Sequence, residues 1–303
     1  MEGTRMKTHL RNVALCMLLL AWGCGGGEEI VTDDTAGTGT TGGEGTGTVN
    51  TAEPVAPVVE APPPPAPARV RVIHASPDAA AAAAAIYLDG AASPAVASLA
   101  YKAAVGYSEV PAGVHQVAVR PAATAADSAP VLQGPTAELA AGTSYTVVVH
   151  GLATGTPALA MTSAADDGPA PAADHASLRF FHALIGVANV DICLPGGNAR
   201  AAGTPVFTNV AYGAFGAAAG EGAAGAYASV AAGSTVPVPL QIRAANEATP
   251  CSGRQVGSVT IGLQTGVWTA VAVGRATGRP AVAKELLLVT DGSTTVTTVA
   301  IGR

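Results

Sequence analysis

His74, Ser76 and Asp78 close the apolar run Val70-Arg71-Val72-Ile73 and crowd an imidazole, a hydroxyl and a carboxylate into five residues. A hydrolytic centre needs such parts, the imidazole as general base or metal ligand and the carboxylate to orient it. His182 and Asp191 form a second, sparser set. The competing reading is structural: a histidine at a strand end hydrogen-bonds the Ser76-Pro77-Asp78 turn, whose proline and aspartate are favoured there on local grounds. Sharper signals are missing from the sequence, which has no Gly-x-Ser-x-Gly elbow, no His-Glu-x-x-His, no phosphate loop and no calcium loop of alternating acids. Asp166-Asp167-Gly168 has the acids to hold a cation but reads more simply as a solvated turn.

Those residues are positioned by a duplicated pattern. Arg69-Val-Arg-Val-Ile-His74-Ala parallels Ser177-Leu-Arg-Phe-Phe-His182-Ala, and Leu99-Ala-Tyr101 parallels Val210-Ala-Tyr212. Tyr107 to Gly113 parallels Tyr227 to Gly233, and Gly151 to Ala160 lies over Gly274 to Ala283 without a gap. Each copy closes on Asp-Gly, at Asp167-Gly168 and Asp291-Gly292. Tyr101, Tyr107, Tyr212 and Tyr227 offer an aromatic platform for a ligand, but recurrence at matching places favours shared packing. His150 falls opposite Val273, so the second copy does without it; His115 and His175 read as strand or linker residues.

Within each copy, short runs rich in Val, Ile, Tyr and Thr alternate with Gly, Pro, Asn or Ser breaks: Val70–Ile73, Ile86–Leu88, Val114–Arg120, Tyr145–Val149, Leu178–Phe181, Pro239–Arg243, Trp268–Val273 and Leu286–Val289. With no amphipathic helical pattern of useful length, that spacing predicts antiparallel β-sandwiches. Ala79 to Ala85 favour helix intrinsically, yet the run is too short to nucleate one in water and reads as a connection.

His-Ala-Ser-Pro-Asp at 74–78, the Leu-Ala-Tyr segment, Tyr-x-Glu-Val-Pro-Ala-Gly and Tyr-Thr-Val-Val-Val resemble the bacterial family called domain of unknown function 4397, once per copy from 69 to about 292. The resemblance implies immunoglobulin-like or transthyretin-like sandwiches of extracellular lipoproteins, and no established activity. The family's opening carries a later aspartate. The first copy has alanine in its place, while the second keeps His182 and Asp191 but has Leu184-Ile185-Gly186 where Ser-Pro-Asp belongs. Neither copy holds the whole polar set, which favours structure over catalysis.

Arg5, Lys7 and Arg11, the ten-residue apolar run Val13 to Trp22, and Gly23-Cys24 read as a signal peptide. The run is shorter than the roughly 20 residues that span a bilayer. Leu20-Ala-Trp-Gly-Cys24 resembles a lipobox with Cys24 as the lipidated first residue, and Gly25 after it implies the outer membrane. Gly/Thr repeats and Pro62-Pro-Pro-Pro65 cannot bury enough surface to fold and form a tether. Beyond Cys24 the chain carries 12 basic and 20 acidic residues, a net charge of -8, which excludes a nucleic-acid binder for want of clustered Lys and Arg. Only Cys193 and Cys251 then remain, in an oxidising compartment, and a disulfide is predicted over two buried thiols.

The sequence thus predicts an all-β protein: a signal peptide at 1–23, a disordered tether at 24–68, a first sandwich at 69–168, a linker at 169–176 and a second sandwich at 177–303. The expected function is that of a non-enzymatic, exported lipoprotein, structural or ligand-binding, held to the membrane by its lipid. Polysaccharide or envelope proteins are the expected partners, and no catalytic residue, metal or cofactor is expected. His74, Ser76, Asp78, His182 and Asp191 are the candidate binding residues. The alternatives are an envelope hydrolase acting through His74 and Asp78, and a cation-stabilised adhesin.

Overall fold

The computed structural model describes residues 63–302 apart from 79–82, 123, 125–126, 198–201, 234–236 and 279–280. The signal peptide, Cys24, the tether as far as residue 62 and most of the polyalanine run lie outside the described residues.

Ala61–Arg303 form one compact unit, all-β among the described residues. The first half contributes β1 (Ala68–His74), β2 (Ala84–Leu88), β3 (Val96–Leu99), β4 (Ser108–Val110), β5 (Gln116–Pro121), β6 (Leu132–Pro135), β7 (Ser144–His150) and β8 (Ala160–Ala165). The second half contributes β9 (His175–Ile185), β10 (Val190–Leu194), β11 (Thr204–Val210), β12 (Ala217–Ala218), β13 (Ala228–Ala231), β14 (Pro237–Ala244), β15 (Gln255–Gly262), β16 (Gly266–Arg275), β17 (Val282–Thr290) and β18 (Val296–Ala300). The first sandwich stacks sheet β4-β1-β7-β8 on sheet β3-β2-β5-β6; the second stacks β13-β9-β16-β17-β18 on β12-β11-β10-β14-β15. The two sandwiches therefore share one strand order, with the second extended at its edges.

Pairing is antiparallel except at β1·β7 and β9·β16, which run parallel. Hairpins join antiparallel neighbours, but β1 and β7 are separated by the whole opposing sheet, and so long a crossover permits parallel pairing. Ala84 and Ala85, expected in the connection, begin β2 instead; pairing with β3 and β5 on either side overrides alanine's helical preference.

The apolar residues of the inner strands divide between two layers. In β1, Val72 enters the core of the first sandwich while Ile73 points the other way, and in β9 Leu178 and Phe180 enter the second core while Phe181 and Ala183 point away. The outward-pointing sets meet. Ile73, Ala75 and Val148 of the first sandwich form one buried cluster with Phe181, Ala183, Val271, Val273, Leu287 and Val289 of the second. The sheets containing β1 and β9 are thus buried on both faces, which is why their strands read as unbroken apolar runs rather than as alternation.

Candidate functional site

The residues singled out in the sequence lie within or just after β1, β9 and β10 and bond chiefly to backbone. His74 is 1% exposed, and its Nδ1 accepts the Ser76 amide at 3.2 Å. Ser76 Oγ donates to the Gly151 carbonyl at 2.7 Å, tying the turn after β1 to the end of β7. Asp78 is exposed and accepts the Thr154 amide at 3.4 Å. The structure therefore brings His74, Ser76 and Asp78 to the border of one cavity of about 120 Å³, yet the carboxylate binds a neighbouring turn rather than the imidazole. With Nδ1 accepting, the proton belongs on Nε2, which has no partner among the described residues. Burial without a counter-charge pushes the His74 pKa down to about 4.

His182 repeats the arrangement. Its Nδ1 accepts the Leu184 amide at 3.2 Å, its Nε2 donates to the Ala188 carbonyl at 3.1 Å, and desolvation lowers its pKa against the pull of that carbonyl. Asp191 is 1% exposed on β10 and accepts three amides, from Asn209 at 2.8 Å, Asn246 at 3.2 Å and Cys251 at 2.9 Å. It holds the loop that presents Cys251 to Cys193, and those two cysteines form a disulfide.

A larger polar constellation lies where the sandwiches meet. Arg71 and Arg179, both fully buried, occupy the same place in β1 and β9. Arg71 Nη1 donates to the Thr290 carbonyl at 2.8 Å, and its Nη2 reaches Thr269 Oγ1 and the Asp291 carboxylate. Arg179 does the same in reverse, with Nη1 on the Ala165 carbonyl at 2.9 Å and Nη2 on Thr146 Oγ1 and the Asp166 carboxylate. Each sandwich thus inserts an arginine into the threonine-aspartate set of the other. Aromatic rings cover the guanidinium groups: Tyr107 lies 5.4 Å from Arg71, and Phe215 and Tyr227 lie 4.7 and 4.9 Å from Arg179. Burial pushes the Asp291 carboxyl up although Arg71 pulls it down, and it pushes the Tyr107 and Tyr227 hydroxyls up as well.

Two further contacts join the sandwiches. His150 packs on Phe181 and Tyr212, with ring centroids 5.3 and 5.6 Å apart, and its pKa is lowered to about 4 by burial. Lys102 forms an ion pair with Glu285.

Asp166 corrects the reading of Asp166-Asp167-Gly168 as a solvated turn: its side chain is 1% exposed and accepts Arg179, Thr146 and, at 2.6 Å, Tyr107. Neither arginine was singled out in the sequence. The signal available was an arginine at the same place in both copies, flanked on each side by apolar residues, together with an aspartate near the closing Asp-Gly of each copy.

Among the described residues no three His, Cys, Asp or Glu side chains converge as a metal site would require. The arginine-aspartate cluster is chemically strong, is satisfied from within apart from Arg179 Nε and the Tyr227 hydroxyl, which have no partner among the described residues, and holds two sheets together.

Residues 68–193 match the family described as Domain of unknown function (DUF4397). The match covers the whole first sandwich and continues through β9 into β10 of the second. No curated protein matches the chain.

Proposed function

We propose that this chain is a non-enzymatic outer-membrane lipoprotein, anchored through Cys24, whose two sandwiches are both modules of the matched family. Together they serve as a structural or ligand-binding, adhesion-type element of the cell envelope. The observation that carries this reading is the reciprocal insertion of Arg71 and Arg179, which commits the strongest buried charges to rigidity between the sandwiches. A rigid pair on a Gly/Thr- and Pro-rich leash suits presentation at a surface, where linked weak contacts gain from effective concentration. His74, Ser76 and Asp191 support the same reading, since His74 bonds to the backbone of its own turn and Ser76 and Asp191 bond to the backbone of neighbouring loops.

Mass spectrometry of the native protein tests the anchor: the first residue is expected to be a diacylated Cys24, and an unmodified cysteine there overturns it. A binding screen of the purified protein against glycans and envelope fractions tests the module. Hydrolysis of any panel substrate that is lost in His74→Ala would overturn the non-enzymatic part.

A further inference from the structure

The two sandwiches share a strand order but not a filling. Between the sheets of the first lies a cavity of about 140 Å³, whose walls include Val70, Val72, Val96 and Ser163. The second sandwich shows what belongs in that space. Val72 stands against Val147 as Phe180 stands against Ala270, so Val72 and Phe180 are equivalent. By the same register, Val96 faces Ile86 as Phe207 faces Ile192, and Ser163 faces Val147 as Leu288 faces Ala270.

Phe180, Phe207 and Leu288 are 2% exposed or less in the second core. Of their counterparts Val72 is buried, while Val96 and Ser163, and Val70 in the place of Leu178, are only half-buried. Val147 and Val149, in place of Ala270 and Ala272, offset the two phenylalanine-to-valine exchanges, so the net loss comes from Ser163 in the place of Leu288 and Val70 in the place of Leu178. The first sandwich is therefore an under-filled version of the second, and the space left, about 140 Å³, is of the size that accepts a single aromatic ring. Exposed Ala95, Ser108, Glu109 and Ala137 border the cavity, so it opens to solvent.

A well-packed interior leaves few voids larger than a water molecule, and an apolar cavity of about 150 Å³ stays dry and accepts benzene. Water gains little here, because the walls are mostly aliphatic, whereas an uncharged ring would make dispersion contacts with the Val, Ile, Leu and Met side chains that line the space.

We propose that the first sandwich is a binding site for a small, uncharged, single-ring aromatic molecule, held between its sheets with Ser108, Glu109, His115, Thr136 and Ser163 as the polar residues that line it. This deepens the ligand-binding part of the function proposed above. Its test does not involve the membrane or the anchor, so either idea can fail alone.

Benzene is the probe, titrated into the full-length mature protein while the Met161 methyl resonance, at the cavity wall, is followed by NMR. A saturable shift of that methyl, with a melting temperature that rises with benzene, is expected. Ser163→Leu, which installs the side chain of the second sandwich, should raise the melting temperature without ligand and weaken benzene binding at least tenfold. Val96→Phe serves as an independent filling variant. No shift of Met161, a shift that never saturates, or unchanged binding in the folded filling variants would overturn the proposal.

Discussion

Arg71 and Arg179 exchange partners: the arginine of the first sandwich binds Thr269, Thr290 and Asp291 of the second, and the arginine of the second binds Thr146, Ala165 and Asp166 of the first. Both guanidinium groups also reach the threonine of their own sandwich, so Thr146 and Thr269 are shared by the pair. Two cations and two carboxylates balance within the seam between the sandwiches. The arrangement therefore specifies one docking geometry, because any other leaves a buried charge unpaired.

Removing one member should accordingly cost more than the pair contributes. Arg71→Met strands Asp291 and frees one face of Thr269, and a loss of about 3–5 kcal/mol is expected in denaturant unfolding. Asp291→Asn should cost less, since an amide still accepts from Arg71. A double-mutant cycle on Arg71 and Asp291 should give a coupling of about 1–3 kcal/mol. Additive single losses would mean that the two residues do not communicate.

Acid should weaken the fold before carboxylates matter. His74 and His150 are held neutral by burial, with pKa values lowered from 6.5 to about 4, and His182 is lowered as well. An unfolded histidine takes up its proton near pH 6.5 and a folded one does not, so the unfolded state binds more protons between these values. The stability that each contributes is fully present above pH 6.5 and is lost as pH falls, for His74 and His150 by about 3 kcal/mol each as pH drops to about 4. Asp291, raised by burial, acts in the opposite sense in the carboxylate range. Chemical denaturation at pH 7 and at pH 4.5 measures the difference. His150→Val, which installs the residue found at the equivalent place in β16, should remove His150's share of it and leave that of His74 and His182, and equal stability at both pH values would refute the assignment.

How much of this was legible in the sequence follows from where each signal resides. Val70–Ile73, Tyr145–Val149, Leu178–Phe181 and Trp268–Val273 were readable because central strands buried on both faces carry dense branched and aromatic residues. By contrast, β8 (Ala-Met-Thr-Ser-Ala-Ala) has little intrinsic strand preference and is placed by its register with β7. The role of Arg71 was hidden because its acidic partner lies 220 residues away. Matching Asp167 to Asp291 also concealed the correct equivalent by one residue. In the structure the Asp166 amide donates to the Ser144 carbonyl as the Asp291 amide donates to that of Val267, so Asp166 is the counterpart. The cavity was invisible for a related reason: it is a difference between two registers, and register emerges only from pairing.

The tightest stretch of the duplication, Gly151 to Ala160 over Gly274 to Ala283, has a backbone cause. Gly151 has φ +91°, and a Cβ there would lie 2.1 Å from the Ala158 carbonyl oxygen; Gly274 has φ +125°, and its Cβ would lie 2.3 Å from the Ala283 carbonyl oxygen. Both glycines let the chain turn beneath the start of the next strand. Gly151→Ala and Gly274→Ala should each destabilise the protein by about 1–3 kcal/mol. Gly262→Ala, in open space and without a positive φ, should change little. Similar melting temperatures for all three variants would remove the explanation.

Asp191 and the disulfide should prove parts of one device. The Cys193–Cys251 bond closes a separation of 58 residues, for which loop-closure entropy gives about 4 kcal/mol of stabilisation. Cys251 has φ +66°, a strained conformation for a side-chain-bearing residue, and its amide is held by Asp191 Oδ2. Cys193→Ala with Cys251→Ala should lose most of that stabilisation, read as a shift in the denaturant midpoint at constant slope. Asp191→Asn offers one acceptor where the carboxylate serves three amides, so it should destabilise the protein with the bond intact and speed reduction of the bond by dithiothreitol. An Asp191→Asn protein that is reduced at the unaltered rate would show that the carboxylate serves only the neighbouring loops at Asn209 and Asn246.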